Sequence, residues 1–525
     1  MKLRNGNWSF DSRDLMRAQC DHCTRISTAR ELQVAGLQEL IDQYFQKPDN
    51  LAIRYGMRFE AGLEQELLTN LGAQVQAPED NSLEATLELM DKGIPVIYQG
   101  SLKGGSGAMA FSGRPDFLLR GDYRFEFTRA GLSARQVDGW QGGYSAWDAK
   151  LSSSPKPEYQ VQVGLYADVL KSLGLLSNAV SGLILGSREL AGFESDVLIA
   201  AMHQKRNNYL HKVFAFIDEA PQRIEDIGEL VCEASSYCDI CEYPELCEAM
   251  RHQTNHLQLV ANITKSQIES LERSGVKTVR QLAEFSGHTD KLTEEQLEPL
   301  RLQAKLQQDY FDSGNKSVFV KDPKALGLLR EERAGDIFFD LEGFTFFNEP
   351  GGLEYLFGWM SIDQGEQFHW LWADSREQER DIFDRFMLEL QQRIEKFPDF
   401  RIFHYANYEQ AALKRLAERF SLHEKLLDRL LSNGVFVDLY KVVKASILTS
   451  EPKYSIKNLE SFYTFKRTSE VKEAMGSMDY YDQYLDALET DNDLALKLKR
   501  QVLDYNQDDC ISTLALVRWL RSLSS

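Results

Sequence analysis

The chain has 525 residues, of which 43% are hydrophobic, and its formal net charge at pH 7 is −20. This length predicts about two to four domains with enough interior for a core. The negative charge argues against binding of nucleic acid by a positive charge spread over the whole surface. Any nucleic-acid-binding surface therefore has to be confined to a local part of the protein. No apolar run is long enough to span a bilayer and the N-terminus lacks a signal-peptide core, so we expect a cytoplasmic protein without a membrane partner.

Two strands in the first third of the chain carry a candidate site. Asp116 stands at the start of an apolar run, and Asp148 lies two residues before Lys150 in a second run. Residues two apart in a strand share a face, so Asp148 and Lys150 are expected to point together. Two carboxylates can hold Mg²⁺ or Mn²⁺, while an ammonium beside them orients or polarises the water that attacks a phosphodiester. Gln162 and Tyr166 follow at helical spacing and are expected to reach one face.

This ordered set resembles the PD-(D/E)XK nucleases of the RecB type, in which the Gln and Tyr sit beside the active site. The resemblance implies that Asp116 and Asp148 are metal ligands and that Lys150 acts on the attacking water or on the transition-state charge. It also implies an upstream acid or histidine, and Glu60 stands in the matching place, in a helix predicted over 54–71. Since a helix rich in acids usually has a solvated face, Glu60 is either a metal ligand or a surface acid.

The chain contains seven cysteines, and a cytoplasmic location would keep them reduced, so a metal or a cluster is expected rather than disulfides. Cys238, Cys241 and Cys247 form a C-x2-C-x5-C group that needs a fourth ligand. Cys20 or Cys23 can supply it if the two ends of the domain meet. Four thiolates would fit zinc.

The cysteine pattern resembles that of the iron–sulfur RecB-like nucleases, in which one leading cysteine and a later C-x2-C-x5-C group bind a [4Fe–4S] cluster. In those proteins the cluster clasps the two ends of the domain together. The resemblance favours Cys20 as the fourth ligand and leaves Cys23 and Cys232 as spare thiols. Zn²⁺ at the same cysteines is the alternative.

A polar, helix-forming segment follows, over about 256–308. It resembles a helix-hairpin-helix unit with Gly275 at the turn between two helices. Such units can hold a DNA backbone through amides at a helix N-terminus, but they also serve as plain spacers. Both readings are kept for this segment.

The last third of the chain carries a second set of acids. Asp340 and Glu342 lie two apart in an apolar strand, so both are expected on one face, and two further apolar runs are the expected antiparallel partners. Glu409 follows a later strand, at the start of a helix. Tyr505 and Asp509 lie four apart in a C-terminal helix and are expected to share a face.

This second set resembles the DnaQ-like 3′–5′ exonucleases of the Tyr type, which have a ribonuclease H-like fold. In that family four acids hold two metal ions and the Tyr positions the water, which implies a catalytic role for Tyr505 and a metal site made of Asp340, Glu342, Glu409 and Asp509. The family usually has Asp where Glu409 stands. Asp438 is a second candidate for that place.

Together these patterns predict an α/β chain in three parts: a PD-(D/E)XK restriction-endonuclease-like domain over 1–250, a helical linker over 251–325 and a ribonuclease H-like exonuclease domain over 326–525. Nearly the whole chain resembles a family of RecB-like nucleases that joins these domains. The implied function is a metal-dependent DNA nuclease with two active sites, in DNA repair, recombination or defence. No Walker motif is present, so any helicase would be a separate partner. The alternatives are a non-catalytic nucleic-acid-binding or scaffold protein with lapsed sites, and an RNA exonuclease acting through the C-terminal domain.

Overall fold

The computed structural model describes residues 1–44, 51–104, 109–137, 142–177, 180–225, 232, 234–347, 351–469 and 474–524. The chain divides into two units, Met1–Thr254 and Asn255–Ser525. Among the residues described, no helix combines the length and the apolar character that crossing a membrane requires.

The first unit is built from short strands and helices in alternation. Its strands are β1 (Lys2–Arg4), β2 (Asn7–Phe10), β3 (Val75–Gln76), β4 (Val96–Tyr98), β5 (Leu102–Gly104), β6 (Met109–Gly113), β7 (Phe117–Arg120), β8 (Tyr123–Thr128), β9 (Gly131–Gln136), β10 (Tyr144–Lys150), β11 (Ser181–Leu185) and β12 (Leu190–Phe193). Its helices are α1 (Ser12–Arg17), α2 (Asp21–Glu31), α3 (Leu37–Tyr44), α4 (Leu51–Leu71), α5 (Leu83–Asp91), α6 (Pro157–Ser172), α7 (Ser195–Glu219) and α8 (Pro244–Gln253).

A six-stranded sheet in the order β12-β11-β10-β7-β4-β3 forms the centre of the first unit. β10 runs parallel to β11 and antiparallel to β7. Every residue of β11 and the first five of β10 are buried, as expected for apolar strands that are covered on both faces. One hydrophobic cluster, with side chains of α6 and α7, packs on one face, and a second, with side chains of α4 and β8, packs on the other. This sheet therefore holds β7 and β10, which carry the predicted acids, in a rigid setting.

The second unit contains strands β13 (Val318–Val320), β14 (Ile337–Phe344), β15 (Leu353–Ser361), β16 (Gln367–Trp372), β17 (Ile402–His404), β18 (Phe436–Asp438) and β19 (Ile447–Thr449). Its helices are α9 (Lys265–Arg273), α10 (Val279–Glu284), α11 (Glu294–Ser313), α12 (Pro323–Leu326), α13 (Arg376–Lys396), α14 (Tyr408–Phe420), α15 (Glu424–Ser432), α16 (Leu439–Ser446), α17 (Ile456–Leu459), α18 (Ala474–Thr490) and α19 (Asn492–Ser522).

A five-stranded mixed sheet in the order β16-β15-β14-β17-β18 is the core of the second unit. β14, β15 and β16 are antiparallel neighbours, as the sequence predicts, and β14, β17 and β18 are parallel. Helices α13, α14 and α15 pack their apolar sides on one face, and α16 and α19 pack on the other. The long helix α19 therefore lies against the strand that carries the predicted acid pair.

The helices that lie between the two sheets in the sequence belong to the second unit. α9 and α10 flank Gly275, whose φ of +82° suits a glycine, and together with α11 they enclose a small apolar core. Buried amides of α11 tie these helices to the rest of the unit. Gln303 donates to the Thr449 carbonyl oxygen at 2.7 Å and accepts a bond from the Tyr454 hydroxyl at 2.6 Å.

Candidate active sites and cysteine pocket

Asp116, Asp148 and Lys150 meet at the end of two paired strands in the first unit. Asp116 immediately precedes β7, and Asp148 lies in β10, whose Trp147 is directly opposite Phe117. The Ala149 amide donates to Asp116 Oδ2 at 2.7 Å, and the Lys150 ammonium donates to Asp148 Oδ2. The antiparallel pairing of β7 with β10 thus brings these three side chains together, and we refer to them with Glu60 as the N-terminal acid site.

The electrostatics of this site fit a divalent cation. Burial raises the pKa of Asp116 well above its ordinary value, and the charges of Asp148 and Glu60 raise it further. Burial alone would lower the pKa of Lys150, but the carboxylates of Asp148 and Asp116 keep that pKa above its usual value. Clustered carboxylates repel one another in a partly dry site, and a divalent cation relieves that repulsion.

Glu60 faces the acid pair rather than a wholly solvated surface. It lies on α4 and is half-buried. The Tyr98 hydroxyl donates to Glu60 Oε1 at 3.0 Å, and the Gln99 amide donates to the same oxygen. Its charge also reaches Asp116. Of the two readings left open by the sequence, this placement favours a member of the site.

Gln162 and Tyr166 share a face of α6, as their spacing predicts. The Gln162 amide donates to the Tyr166 hydroxyl at 2.7 Å, and the Ser12 hydroxyl lies 3.5 Å from the same oxygen. Burial raises the pKa of Tyr166 well above its ordinary value, and the charges of Asp148 and Asp116 raise it further. The tyrosine therefore stays a neutral hydroxyl within electrostatic reach of the acids.

A polar cavity of about 710 Å³ opens beside Gln162 and Tyr166. Arg13, Lys103 and Arg114 also line it. Asp11 and Glu84 line it as well, so basic side chains outnumber acidic ones in the lining by three to two. The cavity thus brings charged groups of both signs next to the N-terminal acid site.

Three acids of the second unit converge closely, and we call them the C-terminal acid site. Asp340 and Glu342 lie on β14, and Asp509 lies on α19. One ligand oxygen from each falls within 4.8 Å of the other two. Burial raises the pKa of Glu342 to about 8, and Asp509 adds to the effect. Burial, Asp509 and Glu342 likewise raise the pKa of Asp340 well above its ordinary value.

Two neutral side chains hold the strand acids in place. The Asn506 amide donates to Asp340 Oδ2 at 2.6 Å, and the Ser477 hydroxyl donates to Glu342 Oε2 at 2.7 Å. Asn506 lies on the same helix as Asp509, one turn earlier. Neither residue is among those predicted from the sequence, although the i, i+3 spacing of Asn506 and Asp509 was a signal for the first. Ser477 follows no pattern that points to the site.

Two cationic side chains also contact this site, and neither is among the residues predicted from the sequence. Arg467 Nη2 donates to Asp509 Oδ1 and to Glu460 Oε1, each at 2.6 Å. Lys457 Nζ donates to the Tyr505 hydroxyl at 3.1 Å. Burial raises the pKa of Tyr505, and the three acids of the site raise it further. Tyr505 is thus placed beside the acids, as its spacing from Asp509 predicts.

Glu409 lies near these acids but outside their close group. It is buried at the start of α14, and its Oε2 atom is 3.3 Å from Nδ1 of His404. Its charge contributes to the raised pKa of Asp340 and of Glu342. Glu409 therefore faces the C-terminal acid site. Among the described residues, however, the close group of ligand oxygens comes from three acids and does not include Glu409.

Asp438, the second candidate for the fourth acid, accepts hydrogen bonds from backbone amides. It is the N-cap of α16, and its Oδ1 atom accepts the amides of Tyr440 at 3.0 Å and Lys441 at 3.4 Å. The Ala406 amide donates to the same oxygen at 3.1 Å. These bonds account for the residue as a helix cap.

Six cysteines from the two ends of the first unit gather around one apolar cluster and, with a histidine, form what we call the cysteine pocket: Cys20, His22, Cys23, Cys232, Cys238, Cys241 and Cys247. Cys20 caps α2, where its sulfur accepts the Cys23 amide at 3.3 Å. The pocket includes the four cysteines expected from the sequence. It also includes Cys232, which the sequence leaves as a spare thiol, and His22, which the sequence analysis missed although it stands between two cysteines.

Comparison with known families identifies the class of the second unit. A family model described as RNase_H superfamily matches residues 337–521, which contain the five-stranded sheet and the C-terminal acid site. The predicted ribonuclease H-like fold of this part is confirmed. Nucleases of that superfamily bind Mg²⁺ or Mn²⁺ through acidic residues, and the acid cluster fits that use. Searches of curated proteins and of solved structures gave no match to the chain.

Proposed function

We propose that the chain is a metal-dependent nuclease that hydrolyses phosphodiester bonds of DNA at two sites, one in each unit. The convergence of Asp340, Glu342 and Asp509 within a ribonuclease H-like domain carries this proposal. These three residues, with Glu409 on their margin, would hold two divalent cations. Such ions supply an activated water and neutralise charge on the leaving oxygen.

Tyr505 would orient the attacking water in the second unit. Its hydroxyl is held by Lys457 at 3.1 Å, and the raised pKa keeps its proton in place as a hydrogen-bond donor. The resemblance to Tyr-type exonucleases supports stepwise removal of nucleotides from a 3′ end. Asn506 and Ser477 fix the two strand acids, so the ligand oxygens need little rearrangement.

The first unit would carry the other nuclease site, at the N-terminal acid site. Asp116, Asp148 and Glu60 would hold its divalent cation, and Lys150 would orient the water or stabilise charge that develops on the phosphate. Gln162 and Tyr166 connect this site to the polar cavity, where Arg13, Lys103 and Arg114 would contact the phosphates of a nucleic-acid strand. The preference for DNA over RNA follows from the resemblance to RecB-type nucleases.

The cysteine pocket would hold a [4Fe–4S] cluster through Cys20, Cys238, Cys241 and Cys247, the set that the resemblance implies. Such a cluster closes a loop of more than two hundred residues and so opposes unfolding. Anaerobically purified protein should be brown, with about four irons per chain, and Cys247→Ser should lose the colour and stability. Colourless protein with one tightly bound Zn²⁺ at these four cysteines would contradict the cluster but keep the clasp.

Cleavage of end-labelled single-stranded DNA with Mg²⁺ or Mn²⁺ tests the two nuclease sites separately. A ladder of single-nucleotide products should persist in Asp148→Ala and vanish in Asp340→Ala, and the double variant should be inactive. Aspartates outside both acid sites give matched controls: Asp196→Ala in the first unit, at an exposed residue, and Asp384→Ala in the second, at a half-buried one, should both behave like the unmodified chain.

Two outcomes would redirect the proposal. If Asp340→Ala, Asp148→Ala and the double variant all degrade DNA as the unmodified chain does, or if the unmodified chain degrades nothing, the acid sets serve binding or scaffolding. If RNA offered beside DNA is degraded faster and only Asp340→Ala stops it, the chain is an RNA exonuclease acting through the second unit.

A further inference from the structure

The cysteine pocket contains a close ligand group that differs from the set implied for a cluster. One ligand atom each of His22, Cys232 and Cys247 falls within 4.8 Å of the other two, and all three residues are buried. Among the described residues, no three of the cysteines implied for the cluster approach one another this closely. The pocket therefore offers two ligand sets that share Cys247.

The size of this group suits a single ion. Zinc binds thiolate sulfur at about 2.3 Å and imidazole nitrogen at about 2.0 Å, so the ligand atoms of a tetrahedral site stand roughly 3.5–3.8 Å apart. A group already within 4.8 Å reaches that spacing with small side-chain adjustments. Two thiolates and one imidazole also form a ligand set that binds zinc in preference to hard cations.

The protein around the group supports a charged, fixed site. His22 lies in the first turn of α2, and Cys247 lies in α8, so two helices hold two of the ligands. Arg251, one turn after Cys247 on α8, donates from Nη1 to the sulfur of Cys232 at 3.6 Å. This buried guanidinium also pairs with Glu248, so it offsets only part of the negative charge that two thiolates bring into the apolar cluster.

We propose that His22, Cys232 and Cys247 form a binding site for one Zn²⁺-like ion, with the fourth tetrahedral position open to water or another small ligand. Because Cys247 also belongs to the set implied for the [4Fe–4S] cluster, the ion and the cluster exclude each other. The ion site stands on its own geometry. The exclusion alone rests on the proposed cluster.

Co²⁺ is the probe for the ion site, because its thiolate complexes absorb visible light while its ligand preferences resemble those of Zn²⁺. The reduced, metal-free full chain is titrated in the absence of oxygen. Cys232→Ser should weaken Co²⁺ binding by more than about 100-fold, since loss of even an outer-shell partner costs 10–100-fold. Cys23→Ser, which removes a thiol of the pocket that belongs to neither ligand set, is the matched control, and its Co²⁺ affinity should equal that of the unmodified chain.

Iron and sulfide reconstitution should give the opposite pattern. Cys238→Ser should fail to form the cluster, Cys232→Ser should form it, and Cys247→Ser should lose both metal sites. Zn²⁺ added before reconstitution should lower iron uptake in the unmodified chain but leave it unchanged in Cys232→Ser. His22→Asn gives a second route to the same result if Cys232→Ser folds poorly, as circular dichroism would show.

The results separate the two ideas. If Cys23→Ser weakens Co²⁺ binding as much as Cys232→Ser does, or if His22→Asn leaves it unchanged, the ion site is refuted. If no variant and not even the unmodified chain forms a cluster, while Co²⁺ binding still depends on Cys232 and His22, the cluster proposal fails and the ion site stands.

Discussion

Replacing Gly358 by alanine should disable the C-terminal acid site without touching any acid. Gly358 lies on β15, opposite Asp340 of β14. A Cβ atom at this position would stand 1.6 Å from Asn506 Oδ1 and 2.8 Å from its Cγ atom. Asn506 in turn donates to Asp340 Oδ2. Gly358 therefore leaves the space that the side chain of Asn506 occupies.

The size of the effect follows from these distances. A separation of 1.6 Å has to grow to at least 3.0 Å, so the amide or the strand shifts by about 1.4 Å. That shift is enough to break the 2.6 Å bond from Asn506 to Asp340. Overpacking costs about 1–3 kcal/mol and the lost bond about 1–3 kcal/mol, so the free energy of unfolding should fall by roughly 2–6 kcal/mol.

Two assays check Gly358→Ala. Urea unfolding gives the change in stability, and the 3′-end ladder gives the rate of the second site, which should fall about 100-fold because misplacement by about 1 Å is costly in an active site. Gly327→Ala is the matched control, since a Cβ atom there meets nothing within 4 Å and its φ is −60°. If Gly358→Ala unfolds and cleaves as Gly327→Ala does, the role assigned to this close contact is wrong.

Three further substitutions test single contacts. Arg467→Ala removes the cation that donates to Asp509, so calorimetric titration should show tighter Mn²⁺ binding at the second site, and unchanged or weaker binding would contradict this. Gly113→Ala would place a Cβ atom 2.2 Å from the Tyr166 ring, so cleavage by the first site should drop sharply in a chain whose second site is disabled; full activity would contradict the need for that tyrosine. Asp438→Ala should cost about 1 kcal/mol of stability as a lost helix cap while the ladder persists, whereas a lost ladder would make Asp438 a metal ligand.

Short-range periodicity was enough to predict the pairs within each site. The two-residue repeat of a strand puts Asp340 and Glu342 on one face, and the four-residue repeat of a helix puts Tyr505 beside Asp509. Bringing these pairs together requires β14 to pack against α19 across more than 160 residues. No local pattern contains that information, and only the resemblance to a known fold supplied it.

Residues that complete the sites were beyond the reach of spacing rules. Arg467 and Ser477 come from separate segments and meet the acids only through tertiary packing. Glu409 illustrates the opposite limit: its position in the sequence matches the family motif, yet its carboxylate pairs with His404 at the margin of the acid group. Motif order thus predicts which acids approach the site, while the distances between them depend on neighbouring side chains.

For the cysteines too, the sequence predicts part of the site and tertiary packing determines the rest. Their spacing indicates that C-x2-C-x5-C lacks a fourth ligand, and the resemblance implies that a cysteine from the other end of the first unit supplies it. The spacing gives no reason to prefer Cys232 to Cys20 as the missing ligand, although Cys232 precedes Cys238 at the same spacing that separates Cys241 from Cys247. Its nearness to Cys247 and His22 depends on how α8 and α2 pack around one apolar cluster.

Each acid site already contains a cation of the protein, and the two cations are placed differently. Lys150 is two residues from Asp148 on the same strand, so their contact is fixed by the backbone and can persist when an ion binds. Arg467 reaches Asp509 from a distant segment, and Glu460 holds its Nε and Nη2 atoms as a second anchor. An ion that takes Asp509 displaces one bond of Arg467 but leaves the pair with Glu460. The guanidinium then remains beside the site with a free donor, which would suit a phosphate oxygen of the proposed nucleic-acid substrate.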